Sequence, residues 1–310
     1  MPSWWLSWSA WLPNGRAALP ELRVATAADI PAMLEVFFTS MEDLDGRRGR
    51  ARQPRNAAPL EMHFEHLLAT DPDSCYLADD RGRSVAFGVV MRRDRDSFLS
   101  FLFVAPAWQS RKLGRAVLDH CLRGAGDVDR VSTCAEADQP VSTGLYASIG
   151  MAPRAPLYLL RGALSEAELP DLPAGVQRWP IDLELVAGVD RALMGYERPQ
   201  DHAFWARDRQ GVLFRHEGGG VLGYGYAHRS GRIGPVAALE PSYLPSFISY
   251  LVRITPVIEG RQLVVPGHAI AALRPLLLAG LRIDTAPAIY CSTGLGPSFD
   301  RYIPMSYALL

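Results

Sequence analysis

Phe98–Leu118 reads FLSFLFVAPAWQSRKLGRAVL. The run Phe98–Val104 is apolar on both faces, as a central strand requires. Pro106 ends that strand. A polar turn follows, and Leu113, Ala116, Val117 and Cys121 recur at helical spacing, predicting a helix over Arg111–Arg123. A helix opening directly from such a turn exposes unpaired N–H groups and a partial positive charge. Backbone donors in that arrangement can cradle a pyrophosphate. Gly114 permits close approach, and Arg111, Lys112 and Arg115 add charge. An ordinary solvated helix start fits the same spacing, so the stretch alone leaves both readings open.

The surrounding pattern is regular. Leu22–Ala25 reads as a strand. Asp29 can cap a helix with Ile30, Met33, Leu34, Phe37 and Phe38 on its apolar face. Asp45–Asn56 is a polar loop, and Leu60–Ala69 is helical. Cys75–Ala78 and Val85–Met91 form a strand pair, Arg130–Ala135 a further strand, Pro140–Ser148 a helix and Leu157–Leu160 a strand. The proline-rich stretch Ala163–Pro180 reads as a linker. The order then restarts: helix Leu183–Leu193, loop Gly195–His202, strands Val212–His216, Val221–Ala227 and Arg232–Leu239, helix Leu244–Arg253, strand Gln262–Val265, helix Ile270–Ala279. Pro241 closes the third of these strands as Pro106 closes its counterpart. A repeat of about 140 residues implies duplication of one fold, since solenoid periods are about 20–50 residues. The expected division is a Trp-rich extension at 1–20, a first domain at 21–162, a linker at 163–180 and a second domain at 181–310. Trp4, Trp8, Trp11 and Leu12 can share a helical face as a surface or partner anchor; an ill-ordered extension reads equally from the same residues.

Composition narrows the function. The 310 residues carry a net charge of -1, with 48% hydrophobic and 21% charged residues, which suits a soluble globular protein. There is no basic excess for nucleic-acid binding and no apolar run of about 18 residues for a membrane span. Lys112 is the only lysine, so arginine abundance reflects coding bias. The four cysteines show no CxxC spacing, so neither a disulfide framework nor a zinc site is expected, and a cytoplasmic location follows as the simpler reading. His63 and His66 can share a helix face, but two ligands do not make a metal site. Cys134 reads as a small core residue.

The second informative stretch is Val141–Met151, VSTGLYASIGM. Tyr146 lies on its helix. This helix and the polar turn each follow a strand, so both can face one cleft. Tyr146 is a candidate general acid for a thiolate leaving group, or a core aromatic with a satisfied hydroxyl.

Together these stretches resemble the GNAT superfamily of acyl-CoA-dependent N-acyltransferases. Gln109 and Gly114 match its Q/R-x-x-G-x-G/A motif, with Lys112 where the first glycine is usual. Leu145-Tyr146-Ala147-Ser148-Ile149-Gly150-Met151 matches its LY-x-x-x-GF helix end, Met replacing Phe. The resemblance covers about 140 residues. It implies an α/β (α+β) chain of two tandem GNAT-like domains, each a twisted mixed β-sheet flanked by helices and splayed at its centre. It implies acetyl-CoA as cosubstrate, without a metal. Pantetheine amides would pair with backbone at Leu102, Phe103 and Val104. The pyrophosphate would rest on Ser110, Arg111, Lys112, Leu113 and Gly114, with Gln109 and Arg115 beside it. Thr143 would contact the cofactor, and Tyr146 would protonate the departing thiolate.

The second half keeps the order but lacks the motifs. Ser242–Phe247 holds no Gln, Arg or glycine turn, and Leu276 stands where Tyr146 does. A degenerate copy is expected. The strand Ser97–Val104 has no carboxylate to serve as base, leaving Glu136 and Asp138 as catalytic candidates, or as plain loop charges. Arg47, Arg48, Arg50, Arg52 and Arg55 would suit an anionic acceptor, or solvate a loop. The expected activity is direct acetyl transfer to a primary amine of a small molecule or peptide, by a monomer or homodimer. The competing class is a non-catalytic acyl-CoA-binding pseudoenzyme or interaction protein.

Overall fold

In the computed structural model, residues 19–51, 54–256 and 260–310 are described. The Trp-rich segment and Arg52 lie outside them. The first half runs β1 Glu21–Val24, α1 Ile30–Arg47, α2 Ala58–Thr70, β2 Cys75–Asp80, β3 Arg83–Arg93, β4 Asp96–Val104, α3 Leu113–Ala125, β5 Arg130–Glu136, α4 Pro140–Ala147 and β6 Ala152–Gly162. The second runs β7 Val176–Trp179, α5 Leu183–Met194, α6 Pro199–Trp205, β8 Gln210–His216, β9 Val221–Ala227, β10 Ile233–Ala238, α7 Leu244–Ile254, β11 Arg261–Pro266, α8 Ile270–Leu278, β12 Arg282–Ile283, β13 Ala288–Ser292 and β14 Tyr302–Ile303. From β1 to α4 and from β7 to α8 the order is the same. Helices flank two sheets: a larger mixed one, in which β4 and β5 run parallel, and a smaller one that is antiparallel throughout.

The two copies are interlocked. The larger sheet has the order β1-β2-β3-β4-β5-β13-β6-β11, with β12 also on β6. The last long strand of the second copy, β13, thus sits between β5 and β6 of the first. In turn β6 pairs with β11 of the second copy. The smaller sheet is β14-β10-β9-β8-β7. A core of buried residues from both copies, including Met33, Phe64, Phe101, Val186, Trp205 and Tyr224, fills the space between them.

Several elements differ from their expected form. Helix α1 continues to Arg47, three residues into the stretch read as loop, where Asp43 and Arg47 pair at 2.9 Å one turn apart. Asp29 does not cap α1 with its side chain. Its carboxylate instead accepts from the Thr26 N–H and hydroxyl at 2.8 and 2.9 Å and binds Arg23. Gly195–His202 is not a solvated loop. Arg198, Asp201 and His202 are buried, and Pro199 opens α6. Strand β7 lies within the stretch read as linker. Helix α3 begins at Leu113, leaving Arg111 and Lys112 in the turn.

Candidate active site

Strands β4 and β5 run parallel only from Asp96↔Arg130 to Leu99↔Thr133. Beyond Leu99 they part, and Ser100–Val104 keeps β3 on one side with no described strand on the other. Part of this edge is already used. The Val104 carbonyl accepts from the Ser40 hydroxyl at 3.1 Å and the Gln109 side-chain amide at 3.0 Å. Gln109 therefore braces the turn through Val104, and the edge left for a ligand amide is at Leu102 and Phe103.

The turn itself is built on left-handed residues. Ser110 and Lys112 have φ of 62° and 65°. Two such residues in alternation bend the chain so that successive N–H groups point to one side, which forms an anion-binding concavity. Lys112 precedes Leu113, and the first N–H groups of α3 have no intrahelical acceptor. A Cβ added at Gly114 would meet only Val104 Cγ2, at 3.4 Å, so the space above the turn is open. These features fit a pyrophosphate and an extended pantetheine arm. Lys112 is exposed. Arg111 lies over the Trp108 ring at 5.0 Å, and Arg115 pairs with Asp119 at 2.8 Å and reaches the Ser148 hydroxyl at 3.2 Å. Of the three cations expected at the turn, two are held by protein groups. The Thr143 hydroxyl donates to Gln139 O at 3.0 Å, within its own helix.

Tyr146 is buried on α4 among Leu99, Leu113, Val117 and Cys291. Burial raises its phenol pKa well above the usual range. Cys291 and Cys134 push the same way, and the Thr133 hydroxyl opposes them. Thr133 is the last β5 residue paired to β4, so Tyr146 stands at the fork of the splay. A phenol in that state keeps its proton at neutral pH, as a general acid must. Cys134 is held as a thiol by burial, in keeping with a core role.

Glu136 and Asp138 are brought together by Arg48, and neither is free. Arg48, at the end of α1, bonds Glu136 through one nitrogen and Asp138 through the other, the latter at 2.5 Å. Arg50 adds a contact to Asp138 at 3.3 Å. Arg55 binds Glu35 and Glu42, each at 2.6 Å. Among the described arginines of this stretch, Arg47, Arg48, Arg50 and Arg55 are each paired with acidic side chains. Arg48 is a site residue that sequence reading left within a charge cluster. Its partners lie 88 and 90 residues away, and no spacing rule reaches that far. His66 Nε2 lies 2.8 Å from Asp201 and its ring stacks on Phe204; no group of three His, Cys, Asp or Glu side chains placed to hold a metal ion occurs among the described residues.

The second copy has closed the equivalent site. Strand β14 pairs along the outer edge of β10 at Val236↔Ile303 and Ala237↔Tyr302, and the Ala238 N–H bonds Arg301 O at 3.0 Å. The bridge Arg232↔Gln262 marks where β10 and β11 begin to part, so β14 occupies the splay. At the head of α7, Tyr243, Phe247 and Phe214 form a stack, with Phe247 and Phe214 centroids 3.9 Å apart. Leu276 is buried.

Residues 38–151 match the model of the acetyltransferase (GNAT) family, so the first half carries a GNAT domain. An acetyltransferase candidate from Pyrococcus horikoshii shares the fold at TM-score 0.76 and 20% identity, over 97% of this chain and 100% of that one. A GCN5-related N-acetyltransferase from Sphaerobacter thermophilus aligns at TM-score 0.62 and 16% identity, over 90% of this chain and 98% of that one. A tandem GNAT protein of the clavulanic acid pathway aligns at TM-score 0.57 and 16% identity, over 89% of this chain and 99% of that one. The fold is therefore shared with these structures over 89–97% of this chain. No curated protein matches the chain in sequence. No described helix is long and apolar enough to cross a membrane.

Proposed function

We propose that the chain is an N-acetyltransferase that uses acetyl-CoA through its first half only and acts on a primary amine of a small molecule or peptide. The observation that carries this reading is the contrast between the copies. The β4 edge beside the left-handed turn is one-sided, whereas β14 covers its counterpart on β10. In this reading 21–162 is the working domain, 163–180 the connection and 181–310 the bracing copy, with 1–20 ahead of them.

Acetyl-CoA, when bound, supplies the acetyl thioester. Leu102 and Phe103 present backbone groups to its pantetheine amides. The N–H groups of Ser110–Gly114 receive its pyrophosphate, with the Lys112 ammonium alongside. Tyr146 holds the proton that the departing thiolate needs. Glu136 or Asp138 can take the proton of the attacking amine once Arg48 has shifted, because a carboxylate bonded to a guanidinium is a poor base.

The pairing of both carboxylates with Arg48 is also what a non-catalytic acyl-CoA binder would show. Calorimetry with acetyl-CoA, followed by free-thiol release across a panel of amines, decides between the two. Binding with thiol release on at least one amine is expected. Binding without release on any amine supports the non-catalytic reading, and no binding at millimolar acetyl-CoA removes both.

A further inference from the structure

Positive charge also collects at the seam between the copies. Arg232 stands at the head of β10, half-buried. Its Nη1 donates to Met305 O at 3.2 Å and its Nη2 to Gln262 Oε1 at 3.1 Å. Both acceptors are neutral, and no described carboxylate lies within ion-pair reach of Arg232. Arg209, whose side chain is 10% exposed, reaches only its chain neighbour Asp208, at 3.8 Å, and the carbonyl of Gly234 at 3.5 Å. Burial lowers the Arg232 pKa to about 10, helped by Arg209 and Arg161. The His63 ring, on α2, is kept neutral by burial and by the same two arginines, Arg209 and Arg232, with a pKa of about 3. A desolvated guanidinium without a counter-charge is costly, and two that repel each other are costlier.

A series of contacts leads from the cluster towards Glu136. Residues 306–309 form a turn closed by the Ser306 N–H to Leu309 O at 3.2 Å and by the Ser306 hydroxyl, which accepts from Ala308 and Leu309. That turn carries Tyr307, whose hydroxyl donates to Leu157 O at 3.3 Å. Across the sheet, Leu157 pairs with Ala288 and Ala288 with Glu136. Two strand spacings separate Glu136 from Leu157, about 10 Å. Tyr307 thus bridges the strip between Glu136 and the Met305 carbonyl on which Arg232 rests.

We propose that Arg232 and Arg209, with His63 beside them, form an anion subsite that anchors a carboxylate or phosphate of the acceptor at the far end of the strip that Tyr307 spans from Glu136. The inference rests on the acetyltransferase reading for the identity of the ligand as acceptor. The second copy, closed as a cofactor site, thereby supplies acceptor specificity, and Tyr307 lines the path between the two ends. Guanidinium groups with no counter-charge among the described residues, as at Arg232, or only a distant one, as at Arg209 with Asp208 at 3.8 Å, gain more from a charged acceptor than from a neutral one.

Calorimetry on the full chain without acetyl-CoA tests this with three probes: 6-aminohexanoate, 6-aminohexyl phosphate and the neutral 6-aminohexanamide. One or both anionic probes are expected to bind at least tenfold more tightly than the amide, and the tighter of the two names the anion. Arg232→Gln is expected to abolish that advantage and Arg209→Gln to cut it several-fold, while Arg95→Gln, paired with Asp129 at the surface, leaves it intact. Circular dichroism confirms folding, and Arg209→Gln serves if Arg232→Gln does not fold. Equal affinity for all three probes overturns the subsite, as does an anion preference that survives both substitutions. The amine panel with acetyl-CoA, scored by free thiol, reads the acetyltransferase separately. Anion preference with no thiol release on any amine of that panel upholds the subsite while the acetyltransferase reading fails, and thiol release without anion preference does the reverse.

Discussion

Lys112 holds a left-handed backbone at φ 65° and ψ 6° as the residue before α3. For a residue with a Cβ that conformation costs roughly 1–2 kcal/mol, and glycine avoids it. Glycine also gains freedom in the unfolded chain, which offsets part of the benefit. Lys112→Gly is therefore expected to stabilise the protein by about 0.5–1 kcal/mol in urea unfolding. Acetyl-CoA affinity should fall a few-fold with loss of the ammonium, and a gain in both would show that the ammonium makes no phosphate contact. Tyr146 carries a different kind of prediction. Tyr146→Phe keeps the ring and its packing, so acetyl-CoA should bind within a few-fold of the parent. Turnover should fall by about 10²–10⁴, the usual scale for loss of a general acid. A thiol near pKa ~8.5 leaves more readily as thiolate at higher pH, so the deficit should narrow between about pH 7 and pH 9. Unchanged turnover would make Tyr146 a packing residue. Both residues stood out in the sequence because each sits in a short motif whose parts are close along the chain. Arg48 did not, since its meaning comes from Glu136 and Asp138, brought to it only by the sheet.

At the scale of elements, the turn before α3 and the turn before α7 are the same place in two copies with opposite fates. Gly114→Trp projects its ring into the open side of the first turn, where a Cβ meets only Val104 Cγ2. It is expected to weaken acetyl-CoA binding at least 100-fold with the circular dichroism spectrum unchanged. The matched control is Ser242→Trp, exposed in the second turn, with affinity kept within about threefold. Ser249 on α7 is 1% exposed, so Trp there would test core packing rather than binding. Equal losses from Gly114→Trp and Ser242→Trp would mean that the wrong copy had been taken as active. Strand and helix positions followed from periodicity because each element's apolar spacing is local. Strand partners did not. Nothing in Ala288–Ser292 says that it will lie between β5 and β6, since the pairing edge is decided by which copy's sheet is incomplete. The same holds for β14, two residues whose role is to cover β10. Helix α6 escaped notice because buried Arg198, Asp201 and His202 read as loop residues until their partners are known.

Over the whole molecule, the exchange of β6 and β13 and the shared core bind the copies into one unit, and a charged cluster crosses the same seam. Arg93 of β3 bonds Asp201 of α6 at 2.6 and 2.8 Å and Asp71 at 2.9 Å, all three buried, and His66 completes the set on Asp201. Asp201→Asn leaves Arg93 short of one counter-charge. Removing one partner of a buried pair typically costs about 3–5 kcal/mol, and a loss of about 3 kcal/mol in urea unfolding is expected, in a single transition because β11 and β13 of the second copy lie in the sheet of the first. Separate transitions for the two halves would contradict the interlocked sheet. The seam also sets the acid limb of stability through His63. In the folded chain its pKa is about 3, pushed down by burial and by Arg209 and Arg232. Unfolded, it returns to about 6.5. Between those values the unfolded chain binds a proton that the folded chain refuses, so stability falls as pH drops through 6.5 and keeps falling towards 3. The slope from this one group is at most about 1.4 kcal/mol per pH unit. The carboxylates whose pKa is lowered, Asp201 among them, act in the same direction only near pH 4 and below; His228, also lowered by burial, acts between pH 7 and 5 in parent and variant alike, so the comparison of the two isolates His63. His63→Gln removes the proton uptake from the unfolded state. Its unfolding free energy should therefore change less between pH 7 and pH 5 than that of the parent, by up to about 2 kcal/mol. Identical pH slopes for the two proteins would show that His63 takes up its proton as easily folded as unfolded, which would require solvent or a carboxylate at the seam to compensate the two arginines.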